Sequence, residues 1–188
     1  MNVYDFDETV YFGDSEFHFI EYVFAKYPKK MKKYSRRYKF YRFLQKKLKL
    51  VSRDYARQKI FSFLKVLPDI DGELEKFWAE HESNLKKWYL AVKREDDVIL
   101  SATPEFILKP ITDKLKVKLI GTRLDKKTGK LDGTYNFGAE KVRRFKETYG
   151  DISPARFYSD SYSDEPMAKI AEEAFMVFGE EITRWVFR

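Results

Sequence analysis

The chain opens with an apolar pair, Val3 and Tyr4, that runs directly into Asp-Phe-Asp-Glu-Thr at residues 5–9. This reads as a short buried strand ending in an acidic turn. The period then changes. Phe17, Ile20, Phe24 and Tyr27 recur at three- and four-residue steps and predict a helix over 15–27, interrupted by Pro28. Tyr34, Tyr38, Tyr41, Leu44 and Leu48 share a face of a second helix over 31–50. Ala56, Ile60, Phe63, Leu64 and Leu67 give a third over 53–67, stopped by Pro68. Leu74, Phe77, Trp78, Leu85 and Trp88 give a fourth over 71–89. After residue 97 compact apolar runs appear instead. Val98-Ile99-Leu100 predicts a strand closed by Ser101-Ala102-Thr103-Pro104, then a helix over 105–115 and a strand over 117–120. Thr128-Gly129 and Asp132-Gly133 mark a hairpin excursion over 122–135. A helix over 138–149, a strand over 156–158 ending at Ser159-Asp160, a helix over 164–174 and a last strand over 175–178 complete the pattern.

One strand, four helices and then strand–helix repeats predict an α/β fold with a Rossmann-like parallel sheet and helices on its faces. The helical block between the first two strands is too long for a simple crossover. It reads as an inserted all-helical cap over 12–94, with the core formed by 1–11 and 95–188.

Composition sharpens this picture. Of the 188 residues, 44% are apolar and 18% aromatic, which fits a folded globular protein. No apolar run is long enough for a transmembrane helix, and the first residues lack the pattern of a secretion signal. Cysteine is absent, which excludes disulfides and thiolate metal sites. The expected location is the cytoplasm, with a peripheral membrane position as the variant. The net charge is +7, but thirteen Lys and Arg and no acid fall between Tyr22 and Arg53. The remainder nets −6, the difference between +7 and thirteen. The basicity therefore belongs to one segment. It suits a solvated outer face, recruitment of an anionic substrate, or contact with an anionic membrane. Nucleic acid ranks last, because no recognised binding module accompanies the charge.

In an open parallel sheet, ligands bind beyond the carboxyl ends of the strands. Those ends here carry Asp5 and Asp7, then Ser101, then Asp160, with Asp164 four residues on and Lys141 opening a helix between them. Hydrolysis of a phosphate ester needs that set. A carboxylate attacks phosphorus, a second carboxyl group moves protons, and a cation offsets the charge of the phosphate. A lysine and a hydroxyl hold the phosphoryl oxygens.

Asp5-Phe-Asp-Glu-Thr9 resembles the first motif of the haloacid dehalogenase-like (HAD) superfamily, Asp-x-Asp-x-Thr. Ile99-Leu-Ser-Ala-Thr103 resembles the second motif, Lys141 in Gly-Ala-Glu-Lys-Val the third, and Ser159-Asp-Ser-Tyr-Ser-Asp164 the fourth. Gly133 in the hairpin and Asn136 before Lys141 are most similar to the phosphoserine-phosphatase-like branch. The resemblance implies a phosphatase that uses Mg2+. Asp5 would be nucleophile and metal ligand, and Asp7 acid/base and metal ligand through its backbone carbonyl. Asp160 would be the third ligand. Ser101, Ala102 and Lys141 would bind the phosphoryl group, with Thr9 and Asp164 in support. An aspartate at position 7 marks phosphatases rather than dehalogenases. The chain departs from the common first motif at Glu8, where glycine is usual, and its first strand is short. The implied substrate is a small or lipid-linked anionic phosphate ester. A phosphotransferase or mutase of the same superfamily is the alternative, and a non-catalytic basic membrane- or nucleic-acid-binding protein on the same scaffold is the third reading.

Overall fold

The computed structural model describes residues 1–188 except the Lys46 side chain. Its centre is β1 (Asn2–Tyr4), whose Val3 and Tyr4 are fully buried. A strand covered on both faces has no polar side to present, and this accounts for its unbroken apolar run. β1 pairs in parallel with β2 (Val98–Pro104), Val3 opposite Val98, and with β4 (Arg156–Ser159), Val3 opposite Phe157. The Asp5 N–H donates to the Tyr158 carbonyl at 2.9 Å, so the ladder reaches one residue past the strand. β3 (Lys118–Thr122) flanks β2, β5 (Glu173–Phe178) flanks β4, and β6 (Glu181–Arg184) lies outside β5, so the order is β3-β2-β1-β4-β5-β6.

β6 (Glu181–Arg184) pairs antiparallel with β5 and has no counterpart in the sequence reading. All four of its residues are exposed, so its sequence carries no alternation of apolar and polar. The signal that was present is the two-residue turn at Gly179-Glu180, where Gly179 has φ 61°.

Side-chain alternation along the strands divides the core in two. Val3, Val98, Leu100 and Phe157 point to one face, packed with Phe145, Met167 and Trp185. That face is covered by α7 (Ala139–Tyr149) and the short α8 (Glu165–Ala168). The helix expected over 164–174 stops early, since the chain must return to begin β5, and the Glu172 N–H is already bonded to the Pro154 carbonyl at 2.9 Å.

Tyr4, Ile99 and Tyr158 point to the other face. There α6 (Glu105–Leu115) packs with the helices that lie between β1 and β2. These are α1 (Ser15–Lys26), α2 (Pro28–Phe43), α3 (Arg53–Ile60), α4 (Ile70–His81) and α5 (Lys87–Val92). One continuous apolar cluster joins Phe19, Phe61, Phe77 and Trp78 of this block to Tyr4, Ile99, Ile107 and Leu108. The buried Trp78 indole donates to the Ile107 carbonyl at 2.7 Å. Pro28 opens α2 rather than merely breaking the chain, because the first helical position needs no N–H donor. The helix expected over 71–89 is two helices. Between them Leu85 bridges antiparallel to Tyr11, and the Lys86 N–H donates to the Val10 carbonyl at 2.8 Å. The block thus leaves and rejoins the sheet side by side. No helix is long and apolar enough to cross a membrane, among the described residues.

Candidate active site

The strand order β2-β1-β4 sets the site. Asp5 and Asp7 follow the middle strand, Ser101 lies on β2, and Asp160 follows β4. After Asp5 the chain makes a single tight turn, in which the Val10 N–H donates to the Phe6 carbonyl at 2.9 Å. Glu8 stands in this turn at φ 57°, a conformation that favours glycine. Its N–H donates to the Gly13 carbonyl at 3.1 Å, and the buried Lys86 ammonium donates to its carbonyl. The departure at Glu8 is thus a strained residue held from both sides.

α7 delivers Lys141 from its first turn. The ammonium is buried and donates to Asp5 Oδ1 at 2.8 Å and to Asp164 Oδ2 at 2.6 Å. Ser159 donates to the same Asp164 oxygen at 2.9 Å, while Asp164 Oδ1 is buried with no donor. Arg144, one turn along α7, donates to the Gly121 carbonyl at 2.6 Å and the Thr134 carbonyl at 3.0 Å. These bonds fix the helix against β3 and the loop after it. Thr9 Oγ1 accepts from the Asp160 N–H at 2.9 Å and so ties the first turn to the last acidic loop. On β2, Ser101 Oγ accepts from the Thr103 N–H at 3.1 Å. The Ser101 carbonyl accepts from the buried Asn136 amide at 2.9 Å, and the Ala102 carbonyl from the Thr122 hydroxyl at 2.6 Å.

Asp7 is gripped by two groups the sequence did not identify. The Ser15 N–H, at the start of α1, donates to Oδ1 at 2.7 Å, and the Thr103 hydroxyl meets Oδ2 at 2.6 Å. Thr103 stood in the second motif without an assigned role. Ser159 likewise stood in the fourth motif, with nothing in the sequence to join it to Asp164.

The structure brings together every residue the sequence singled out: Asp5, Asp7, Ser101, Ala102, Lys141, Asp160 and Asp164 all border one cavity of about 690 Å³, with Thr9 bonded to its wall. Its opposite wall comes from the helical block and the 122–138 loop. Arg53 lies there with its guanidinium 3.5 Å from the centre of the Phe137 ring. Arg57 is ion-paired with Glu16 and donates to the Tyr135 hydroxyl at 2.9 Å.

Burial shapes the titration of the site. Burial first, then the charge of Asp14, pushes Asp7 up to about 7. Burial also raises Asp5 to about 6, with Lys141 opposing and Asp164 adding to the rise. Asp160 rises to about 7, through burial and the charges of Asp5 and Asp164. Burial disfavours the charge on Lys141, but Asp164 and Asp5 outweigh it and raise its pKa. One lysine therefore faces several acids, and the cluster is short of positive charge.

A cation fits that imbalance. No group of three His, Cys, Asp or Glu side chains is arranged to hold an ion, among the described residues. Magnesium does not need such a cage, since it takes one or two carboxylates and keeps water and phosphate in its other positions. Asp5 Oδ2 takes no part in the bond to Lys141, the Asp160 carboxylate makes no hydrogen bond to another side chain among the described residues, and Asp164 Oδ1 is buried without a donor.

No curated protein matches the chain in sequence. Solved structures match it in fold. A protein with unknown function from Bordetella pertussis Tohama I aligns with a TM-score of 0.79 at 20% identity, covering 93% of this chain and 87% of that one. A phosphoserine phosphohydrolase-like protein from Francisella tularensis subsp. tularensis SCHU S4 aligns with a TM-score of 0.58 at 17% identity, covering 93% and 86%. A cytosolic 5′-nucleotidase IIIB bound to cytidine aligns with a TM-score of 0.59 at 13% identity, covering 92% and 69%. The sequence profile of the haloacid dehalogenase-like hydrolases matches residues 3–169. With that span containing all four motifs and the whole acidic cluster, the chain belongs to the haloacid dehalogenase-like hydrolase family.

Proposed function

We propose that the chain is a magnesium-dependent phosphomonoester phosphatase working through an aspartyl-phosphate on Asp5. The observation that carries this reading is the pairing of two unlike carboxyl groups in one cavity. Asp5 is held by the Lys141 ammonium, whereas Asp7 is held by the neutral Ser15 N–H and Thr103 hydroxyl and, among the described residues, pairs with no cation. Carboxyl groups set apart in this way suit a nucleophile and an acid/base.

In the first step an Asp5 oxygen forms a bond to phosphorus and the ester P–O bond breaks. The Asp7 carboxylic acid gives its proton to the departing alkoxide. In the second step the Asp7 carboxylate takes a proton from water, the water oxygen bonds to phosphorus, and the bond to Asp5 breaks. Inorganic phosphate leaves, and Asp5 and protonated Asp7 are restored. Ser101, the neighbouring Ala102 amide and Lys141 hold the phosphoryl oxygens during both steps. Magnesium bound to Asp5, Asp160 and the Asp7 carbonyl would offset the charge of the phosphate. Thr9 holds the Asp160 loop, and Asp164 holds Lys141. The helical block 12–94 acts as the cap, and the cations on its wall of the cavity favour an anionic phosphate ester, small or lipid-linked. The names of two structural neighbours, a phosphoserine phosphohydrolase-like protein and a 5′-nucleotidase, agree with this class.

The test is release of phosphate from an aryl phosphate with magnesium, with EDTA, and by Asp5→Asn and Asp7→Asn. Release should need magnesium and Asp5, and Asp7→Asn should slow it by at least about a hundredfold. Undiminished release by Asp5→Asn would refute the covalent route. Transfer to an added sugar in place of release would assign a phosphotransferase.

A further inference from the structure

Helix α2 has a face that the core does not use. Met31 is its one buried residue, and Tyr34, Arg37, Tyr38 and Tyr41 lie half-buried on the inner side. The outer side exposes Lys29, Lys32, Lys33, Arg36, Lys39, Phe40 and Phe43, spaced by three and four residues so that they share one arc. The ion pair of this segment, Lys26 with Glu73, lies at the end of α1, away from that arc. Among the described residues, none of the five outer cations pairs with a carboxylate.

Exposed apolar residues gather at the C-terminal end of α2 and in the turn that follows it. Phe40 is 56% exposed, Phe43 52%, Leu48 47% and Leu50 71%, all within eleven residues. Single exposed apolar side chains are ordinary, but four together beside unpaired cations are not what a solvated face requires. The same stretch reaches the cavity, since Gln45, Lys49 and Val51 form part of its wall.

We propose that α2 and the turn after it dock the protein on an anionic lipid bilayer. The lysines and Arg36 lie among acidic headgroups, and Phe40, Phe43, Leu48 and Leu50 enter the interface. The charge of the arc selects an anionic partner. Phe40 and Phe43 carry rings on which a base could stack, but Leu48 and Leu50 are aliphatic and gain from burial in an apolar interface alone, which favours lipid over nucleic acid. Docked in this way, the part of the cavity wall formed by Gln45, Lys49 and Val51 lies beside the bilayer. The proposal does not rest on the chemistry of Asp5.

The experiment is flotation of the full chain with vesicles of phosphatidylcholine alone and of phosphatidylcholine with phosphatidylglycerol at roughly 7:3. Two variants accompany it, Lys29→Glu/Lys33→Glu/Arg36→Glu and Phe43→Ser/Leu50→Ser. All five sites are exposed, so unfolding curves should coincide with the wild type and exclude misfolding. The wild type should float with the anionic vesicles only, and less as salt is raised. The charge variant should lose at least about a hundredfold in partitioning, at about fivefold for each of the three cations removed, with the three new carboxylates repelled by the anionic surface. The apolar variant should lose at least about tenfold while staying salt-sensitive. Failure of the wild type to float, or equal flotation of either variant, would overturn the proposal. Retention by single-stranded oligonucleotide without flotation would assign the face to nucleic acid instead.

Discussion

Asp160→Asn should stabilise the metal-free protein at neutral and alkaline pH and leave it unchanged in acid. The Asp160 carboxyl group is pushed up to about 7 from an ordinary 3.8, by burial and by the charges of Asp5 and Asp164. The folded state therefore binds this proton more tightly than the unfolded state. Stability falls as pH rises from about 4 to about 7, while the folded protein is forced to give the proton up. The full shift corresponds to about 4 kcal/mol. Asp160 is only half-buried and shares its protons with Asp5, so about 2 kcal/mol is the expected gain at about pH 8. At about pH 4 the wild-type group is already neutral and the variant should gain nothing. Urea unfolding in EDTA at both pH values gives the two differences. Magnesium should reverse the order, because a ligand that binds only the folded wild type stabilises it by mass action. Equal stability of variant and wild type at both pH values would refute the charge argument. A magnesium-induced rise in Tm as large in the variant as in the wild type would remove Asp160 from the metal site.

Two further outcomes follow from the same cluster. Lys141→Met leaves Asp5 and Asp164 without their shared cation and should cost about 3 kcal/mol near pH 8; the loss should shrink near pH 5, below the Asp5 value of about 6, which the same unfolding curves will show. Glu8→Gly removes a side chain from a turn residue at φ 57° and adds freedom to the unfolded chain. Relief of about 1–2 kcal/mol against a cost of about 0.5–1 kcal/mol leaves a net gain of up to about 1.5 kcal/mol, read as a higher Tm.

The acidic cluster was legible because a parallel sheet sends every strand's carboxyl end to one edge. Asp5 lies 96 positions before Ser101, and Ser101 lies 59 before Asp160, yet β2, β1 and β4 are neighbours, and an apolar run closed by a polar residue marks each end. What the sequence could not disclose were the bonds that tune those groups. Thr103 meets Asp7 across 96 positions, and only the register of β1 on β2 makes that contact. The Ser15 amide is a backbone group and leaves no mark in the sequence beyond the start of a helix. The boundaries were less legible than the elements. Pro28 was read as a break and is a helix start, Leu85 and Trp88 kept the apolar period although a bridge to Tyr11 divides their helix, and β6 has no period at all.

The helical block is divided by how its members are held. α1 and α4 are held to each other and to α6 through closely packed aromatics, with Phe19 against Phe77 at 5.4 Å and the Trp78 indole bonded to the Ile107 carbonyl of α6. Such contacts are close-packed and resist displacement. α3 meets the core's 122–138 loop largely through polar and cation–aromatic contacts: Arg57 with Tyr135, Arg53 with Phe137, and the Tyr135 N–H with Asp54 at 3.4 Å. Arg53 and Arg57, with Lys49, also line the same cavity as the acidic cluster. Contacts of that kind are exchanged for water, or for an anionic ligand, with little net change in energy. On the proposed reading, selectivity for the substrate would belong to α3 and the turn after α2, while the packed pair α1 and α4 supplies the fixed frame that keeps Asp7 under the Ser15 amide.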